Sequence, residues 1–165
     1  MTDQDKLIKV DRMRYTKNKM SSNLAILAIL FDVFFFVCIY KSDVGTYYYN
    51  ILTGGSVIYN LIFMLAVFLA SEGVKTYNKK YSYLLIVVGI LQFVRIFIIP
   101  AKAHAAVVTI AKQERIVMET AQFVRCIIYL CLSGACCLVS AIVGLLRSNK
   151  LEAYLSTLGE EVRRD

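Results

Sequence analysis

Residues 51–70 read ILTGGSVIYNLIFMLAVFLA, twenty consecutive positions without a charge. At a rise of 1.5 Å per residue, a helix of this length covers the ~30 Å hydrocarbon core of a bilayer, and a soluble domain seldom carries so long an apolar run. Working outward, 24–40, 83–99 and 126–146 are runs of the same kind, interrupted only by Asp32 and Arg95. Backbone groups in hydrocarbon must bond one another, and LAILAIL at 24–30 lacks the alternation of a barrel strand, so each run reads as a spanning helix. The sequence therefore predicts an all-α integral membrane protein: a four-helix antiparallel transmembrane bundle with short amphipathic helices outside it. The transmembrane domain is expected over 23–146, with helices at about 23–40, 51–70, 82–99 and 123–146. A composition of 58% hydrophobic residues with a single Pro in 165 positions agrees with this and excludes a loop-rich secreted module.

Charge sets the expected orientation. Of the 19 Lys and Arg, 13 fall in the arm 1–22, the second connection and the tail 147–165, and four in the first and third connections. Basic residues gather on the cytoplasmic side, so both termini are expected in the cytoplasm and the protein in the plasma membrane as a multi-pass chain. The first run follows about 22 polar residues and ends in YKSD without a small-residue cleavage pattern, so it is expected to remain as an anchor. Lys6, Lys9, Arg12, Arg14, Lys17 and Lys19 suit contact with anionic lipid at the cytoplasmic face, tempered by Asp3, Asp5 and Asp11. Nucleic acid is not an expected partner. Tyr40 and Tyr47, Tyr48 and Tyr49 would line the outer interface, and Tyr77, Tyr81 and Tyr83 the inner one.

The connections differ in kind. The first two are short, which makes neighbours of the helices they join. After Pro100, residues 101–120 are Ala-rich without Gly and read as an outer helical segment. The tail spaces Leu151, Tyr154, Leu155, Leu158 and Val162 along one helical face, an amphipathic helix expected to break or cap near Gly159.

Polar side chains inside the spans are the candidate functional residues, because charge in hydrocarbon is costly and turns toward protein or water. Asp32 lies within the first run, and Gln92 and Arg95 share a face of the third. Asn60 sits near the middle of the second, and Arg125 opens the fourth. Together they form a candidate intramembrane polar seam, in which Asp32 is either a counter-ion to Arg95 or Arg125, or a carboxylate that exchanges protons or binds a cation. Small residues at spacing four form two further rows on the fourth run, Ser133, Cys137 and Ala141 beside Cys136, Ser140 and Gly144. They are candidate helix-packing surfaces for the third helix, the first or another chain.

Catalytic chemistry finds little support. His104 has no carboxylate or second ligand near it in sequence and reads as a surface residue, and there is no Ser-His-acid set, metal motif or phosphate loop. Gly54 and Gly55 lack the following basic residue such a loop needs. The five cysteines lie in or at the ends of apolar runs without Cys-x-x-Cys spacing and read as packing residues. No cofactor or metal is expected, and an enzyme is the less favoured class. Two functions remain, the first expected ahead of the second. One is a non-enzymatic accessory or interaction subunit of a membrane assembly, using the small-residue rows for a membrane-protein partner or self-association. The other is a small transporter or channel component using the seam around Asp32.

Overall fold

The computed structural model describes residues 17–40, 50–105, 107–110 and 113–162. Along the chain come α1 (Lys19–Tyr40), α2 (Asn50–Lys75), α3 (Lys79–Ile98), a short α4 (Pro100–Ala105), strands β1 (Val107–Ile110) and β2 (Gln113–Ile116), and α5 (Thr120–Val162). The protein is a multi-pass membrane protein of the all-α class: α1, α2, α3 and α5 are each long and apolar enough to cross a bilayer. They pack as an antiparallel bundle in which α2 and α5 each touch both α1 and α3, so α1 and α3 face one another across the diagonal. Most of the basic arm, and Tyr47, Tyr48 and Tyr49, lie outside the described residues.

Each helix turns inward a row whose steps alternate three and four residues, the period of left-handed bundles. On α1 the row is Ser21, Ala25, Ala28, Asp32, Phe35 and Ile39, and on α5 it is Cys126, Leu130, Ser133, Cys137, Ser140 and Gly144. Apart from Phe35, Ile39 and Leu130 these positions are small or polar, and many large apolar side chains face outward, with Leu65 69% and Phe97 72% exposed. Water would not tolerate such an exterior, and lipid does. With no hydrophobic force between helices in hydrocarbon, cohesion falls to close packing and interhelical hydrogen bonds.

Both are concentrated at the end where α1 begins. The Ser21 hydroxyl donates to the Ser140 carbonyl at 2.6 Å, and the Ser140 hydroxyl to the Ser21 carbonyl at 2.7 Å. Ser22 and Ser71 share a hydroxyl contact at 2.8 Å, joining α1 to α2. At Gly144 the helices come close, since a Cβ there would lie 2.6 Å from Ser82 Oγ and 2.9 Å from Val74 Cγ1. Helix ends are satisfied across elements as well. Asn18 donates its N–H to the carbonyl of Lys75, and its side-chain oxygen accepts from Arg147 and from the N–H of Ser21. At the other end, Gln122 Nε2 donates to the Cys38 carbonyl at 2.6 Å, serving one of the last carbonyls of α1.

The helices run past the apolar segments, and the turn between α2 and α3 is only Thr76 to Asn78, with Tyr77 at φ 61°. The N–H groups of Tyr77 and Asn78 return to the carbonyls of Val74 and Gly73, a C-terminal cap built around a left-handed residue. Asn78 caps α3 through its side chain, which accepts from Lys80.

Three sequence expectations are corrected. The outer connection is not a helix beyond Ala105: β1 and β2 form an antiparallel hairpin with Val107 opposite Ile116 and Ile110 opposite Gln113. Val107, Val108, Thr109 and Ile110 are all β-branched, and four such residues in succession favour strand over helix. Nor does the tail form a separate helix, since α5 continues through Gly159 to Val162. It is tied to the turn before α3 by Ser148, whose hydroxyl donates to the Tyr77 carbonyl at 3.0 Å, and by a Lys79–Glu152 ion pair. His104 is half-buried rather than a surface residue, stacked on Phe123 at 4.4 Å with Nδ1 3.2 Å from the Met118 carbonyl.

Candidate functional site: a buried charged centre

The bundle has two apolar clusters, one containing Ala25, Ala28, Val67 and Cys137, the other Phe35, Ile39, Met118 and Leu130. On α1 the residue between them is Asp32, fully buried. Its inward position is dictated by the row it belongs to, four residues after Ala28 and three before Phe35.

From across the diagonal, α3 presents Gln92 and Arg95, one turn apart. Arg95 Nη1 donates to Asp32 Oδ1 at 3.1 Å, and Gln92 Nε2 donates to the same oxygen at 2.9 Å. Gln92 Nε2 also lies 3.3 Å from Ser133 Oγ, and that hydroxyl donates to the Ala28 carbonyl at 2.9 Å. The centre thus joins α1, α3 and α5. The guanidinium carbon of Arg95 lies 4.5 Å from the Phe35 ring centroid and 4.7 Å from that of Tyr59, so α2 contributes through an aromatic face. Arg95 is only 3% exposed.

Much of the centre's hydrogen-bonding capacity is unused. Among the described residues, Asp32 Oδ2, Gln92 Oε1, Arg95 Nε and Nη2, and both amide atoms of Asn60 are buried without a partner. Buried polar atoms are nearly always paired, because leaving one unpaired costs about 1–3 kcal/mol and more for a charged group. Four of these six atoms belong to the Asp32, Gln92 and Arg95 cluster itself.

Of the candidate seam residues, Asp32, Gln92 and Arg95 are in direct contact, and Asn60 faces the interior at 3% exposure without a hydrogen bond to the other three. Arg125 is exposed, because the neighbouring Cys126 takes the inward position on α5. Phe35, Tyr59 and Ser133 belong to the centre and were not in the expected seam. Ser133 was legible as the next inward step from Cys137, whereas aromatic contact with Arg95 leaves no mark in spacing. In the small-residue rows, Ser133, Cys137, Ser140, Ala141 and Gly144 are buried inside the bundle, while Cys136 is half-buried. Among the described residues no group of three or more His, Cys, Asp or Glu converges to hold a metal ion.

No known family model, no curated protein and no solved structure matches this chain.

Proposed function

We propose that the chain is a small transporter or channel component whose path runs through the centre of Asp32, Gln92, Arg95 and Asn60. The observation that carries this reading is the set of buried, unpartnered polar atoms around an ion pair within the spans. A purely structural ion pair is best served by saturation of both groups, since every open valence adds desolvation cost without return. Here Asp32 and Arg95 meet through one oxygen and one nitrogen, which leaves the rest of each group free for a solute or for water in transit.

The test is proton or solute movement in proteoliposomes of the full chain with a trapped pH indicator, under gradients of Na⁺, K⁺, chloride, small amines and small carboxylates. A chain-dependent pH change that disappears in Gln92→Leu is the expected result. Silence under every gradient would sink the proposal.

A second reading, an accessory subunit of a membrane assembly, is favoured by the hairpin, where paired Val107 and Ile116 are 56% and 62% exposed. The small-residue rows of α5 lend it less, because they are occupied within the bundle. Co-purification of a second membrane protein, lost on Val107→Lys and Ile116→Lys, would support it. Both termini in the cytoplasm, a plasma-membrane location and anionic lipid against the basic arm belong equally to this proposal and rest on the distribution of Lys and Arg.

A further inference from the structure

Arg95 presents a particular edge. Nη1, the nitrogen on the Cδ side of the guanidinium, is taken by Asp32. The unpartnered atoms are Nε and Nη2, whose N–H bonds run nearly parallel on the opposite edge. That pair is the fork a planar two-oxygen group accepts bidentately. Asp32 Oδ2 and Gln92 Oε1, in the same cluster, are acceptors without a partner, and Asn60, buried on α2, has a donor and an acceptor without one.

Charge balance limits what can enter. The centre is neutral with Arg95 cationic and Asp32 anionic, and the rings of Phe35 and Tyr59 lie against the guanidinium. Adding an anion alone would leave a net buried charge, which low-dielectric surroundings oppose. Adding an anion together with one proton on Asp32 keeps the total at zero: the ligand replaces Asp32 as the counter-ion of Arg95, and the neutral acid gains a donor. The ionisable groups facing Asp32 are Arg95 on α3, Tyr59 on α2 and Cys137 on α5. Tyrosine and cysteine are ordinarily neutral near pH 7, so Arg95 supplies the charge to be balanced.

We propose that the Nε/Nη2 edge of Arg95 binds a small monocarboxylate, and that each carboxylate enters with one proton, which Asp32 takes from water. This rests on the transporter reading above and specifies its substrate class.

The experiment uses the purified full chain in detergent, with acetate as the probe and chloride and nitrate as controls. Acetate raises the melting temperature more at pH 5.5 than at pH 7.5 at equal acetate-ion concentration, and binding removes about one proton from weakly buffered solution. Arg95→Lys keeps the charge but lacks the fork, and it weakens acetate binding at least ten-fold. Asp32→Asn leaves Arg95 without its carboxylate, so acetate stabilises this variant more than the wild type and without the pH dependence. If Asp32→Asn does not fold, proton uptake by the wild type and the Arg95→Lys comparison decide the matter. Nitrate, equally planar, acting as well as acetate would overturn the carboxylate assignment, and no acetate effect beyond that of chloride would overturn the site. Failure here alongside a Gln92-dependent pH change in liposomes removes the substrate class and leaves the transporter reading standing. Proton-coupled acetate binding without any movement in liposomes does the reverse.

Discussion

Ser21 and Ser140 hold each other by their main chains: each hydroxyl donates to the other residue's carbonyl, at 2.6 and 2.7 Å. These carbonyls already serve their own helices, so the serines add bonds without taking any away, and they fix the height of α1 against α5. Membrane hydrogen bonds of this kind are worth about 0.6 kcal/mol on average and up to ~1.7. Ser21→Ala and Ser140→Ala should each lower stability by about that much in a denaturant titration in micelles. Ser140→Leu should do far worse, since the position has no room. A Leu variant that folds normally would mean that the two helices do not meet there.

Gly144 gives a sharper test of the same contact. A methyl group there would press on Ser82 Oγ at 2.6 Å and Val74 Cγ1 at 2.9 Å, so Gly144→Ala should cost about 1–3 kcal/mol, the usual range for overpacking. Pairing it with Ser82→Gly, which removes the nearer obstacle, should restore part of the loss. Gly73→Ala meets the Tyr81 ring at 2.0 Å and should be the more damaging of the two single changes. Thermal unfolding of the three variants ranks them.

The ion pair predicts non-additivity. Asp32→Asn strips Arg95 of its carboxylate while the guanidinium stays buried, and breaking a buried pair in this way costs about 3–5 kcal/mol. The double variant Asp32→Asn with Arg95→Gln should recover more than half of that, because no lone charge remains. Arg125→Gln should change little, as that side chain is exposed. Additive single and double effects would show that Asp32 and Arg95 are not coupled.

Orientation is tested by single cysteines in a background without the five native ones. Cysteine at Lys102 should react with an impermeant maleimide added to intact cells, whereas cysteine at Asn78 or Ser156 should react only after the membrane is opened. The reverse pattern would invert the assignment made from the basic residues.

The four spans were legible because length and apolarity are the same requirement a bilayer imposes. The inward faces were legible in part: Gln92 and Arg95 three apart, and Ser133 with Cys137, are steps of rows that the bundle buries. Whether Asp32 meets Arg95 or Arg125 depends on which one falls on an inward step, and the row Cys126, Leu130, Ser133 puts Arg125 one position outside it. The hairpin was hidden by the Ala-rich start of its connection, although four β-branched residues follow. Gly159 misled in the opposite sense: glycine inside a helix costs only about 1 kcal/mol, which a long helix already under way absorbs.

The continuity of α5 has a mechanical side. Its 43 residues give a rod of about 65 Å, well beyond the ~40–45 Å of a whole bilayer with headgroups, so part of it stands clear of the membrane. No proline lies along it, and it stays helical through Ser133–Gly134, Gly144 and Gly159, the kinds of position at which a helix can bend. Ser133, which touches Gln92 at the ion pair, and Ser148, which grips the α2–α3 turn, ride on the same rod. A sideways displacement of α5 by one residue's rise, about 1.5 Å, would stretch the 3.3 Å contact between Ser133 and Gln92 to the limit of hydrogen-bond range.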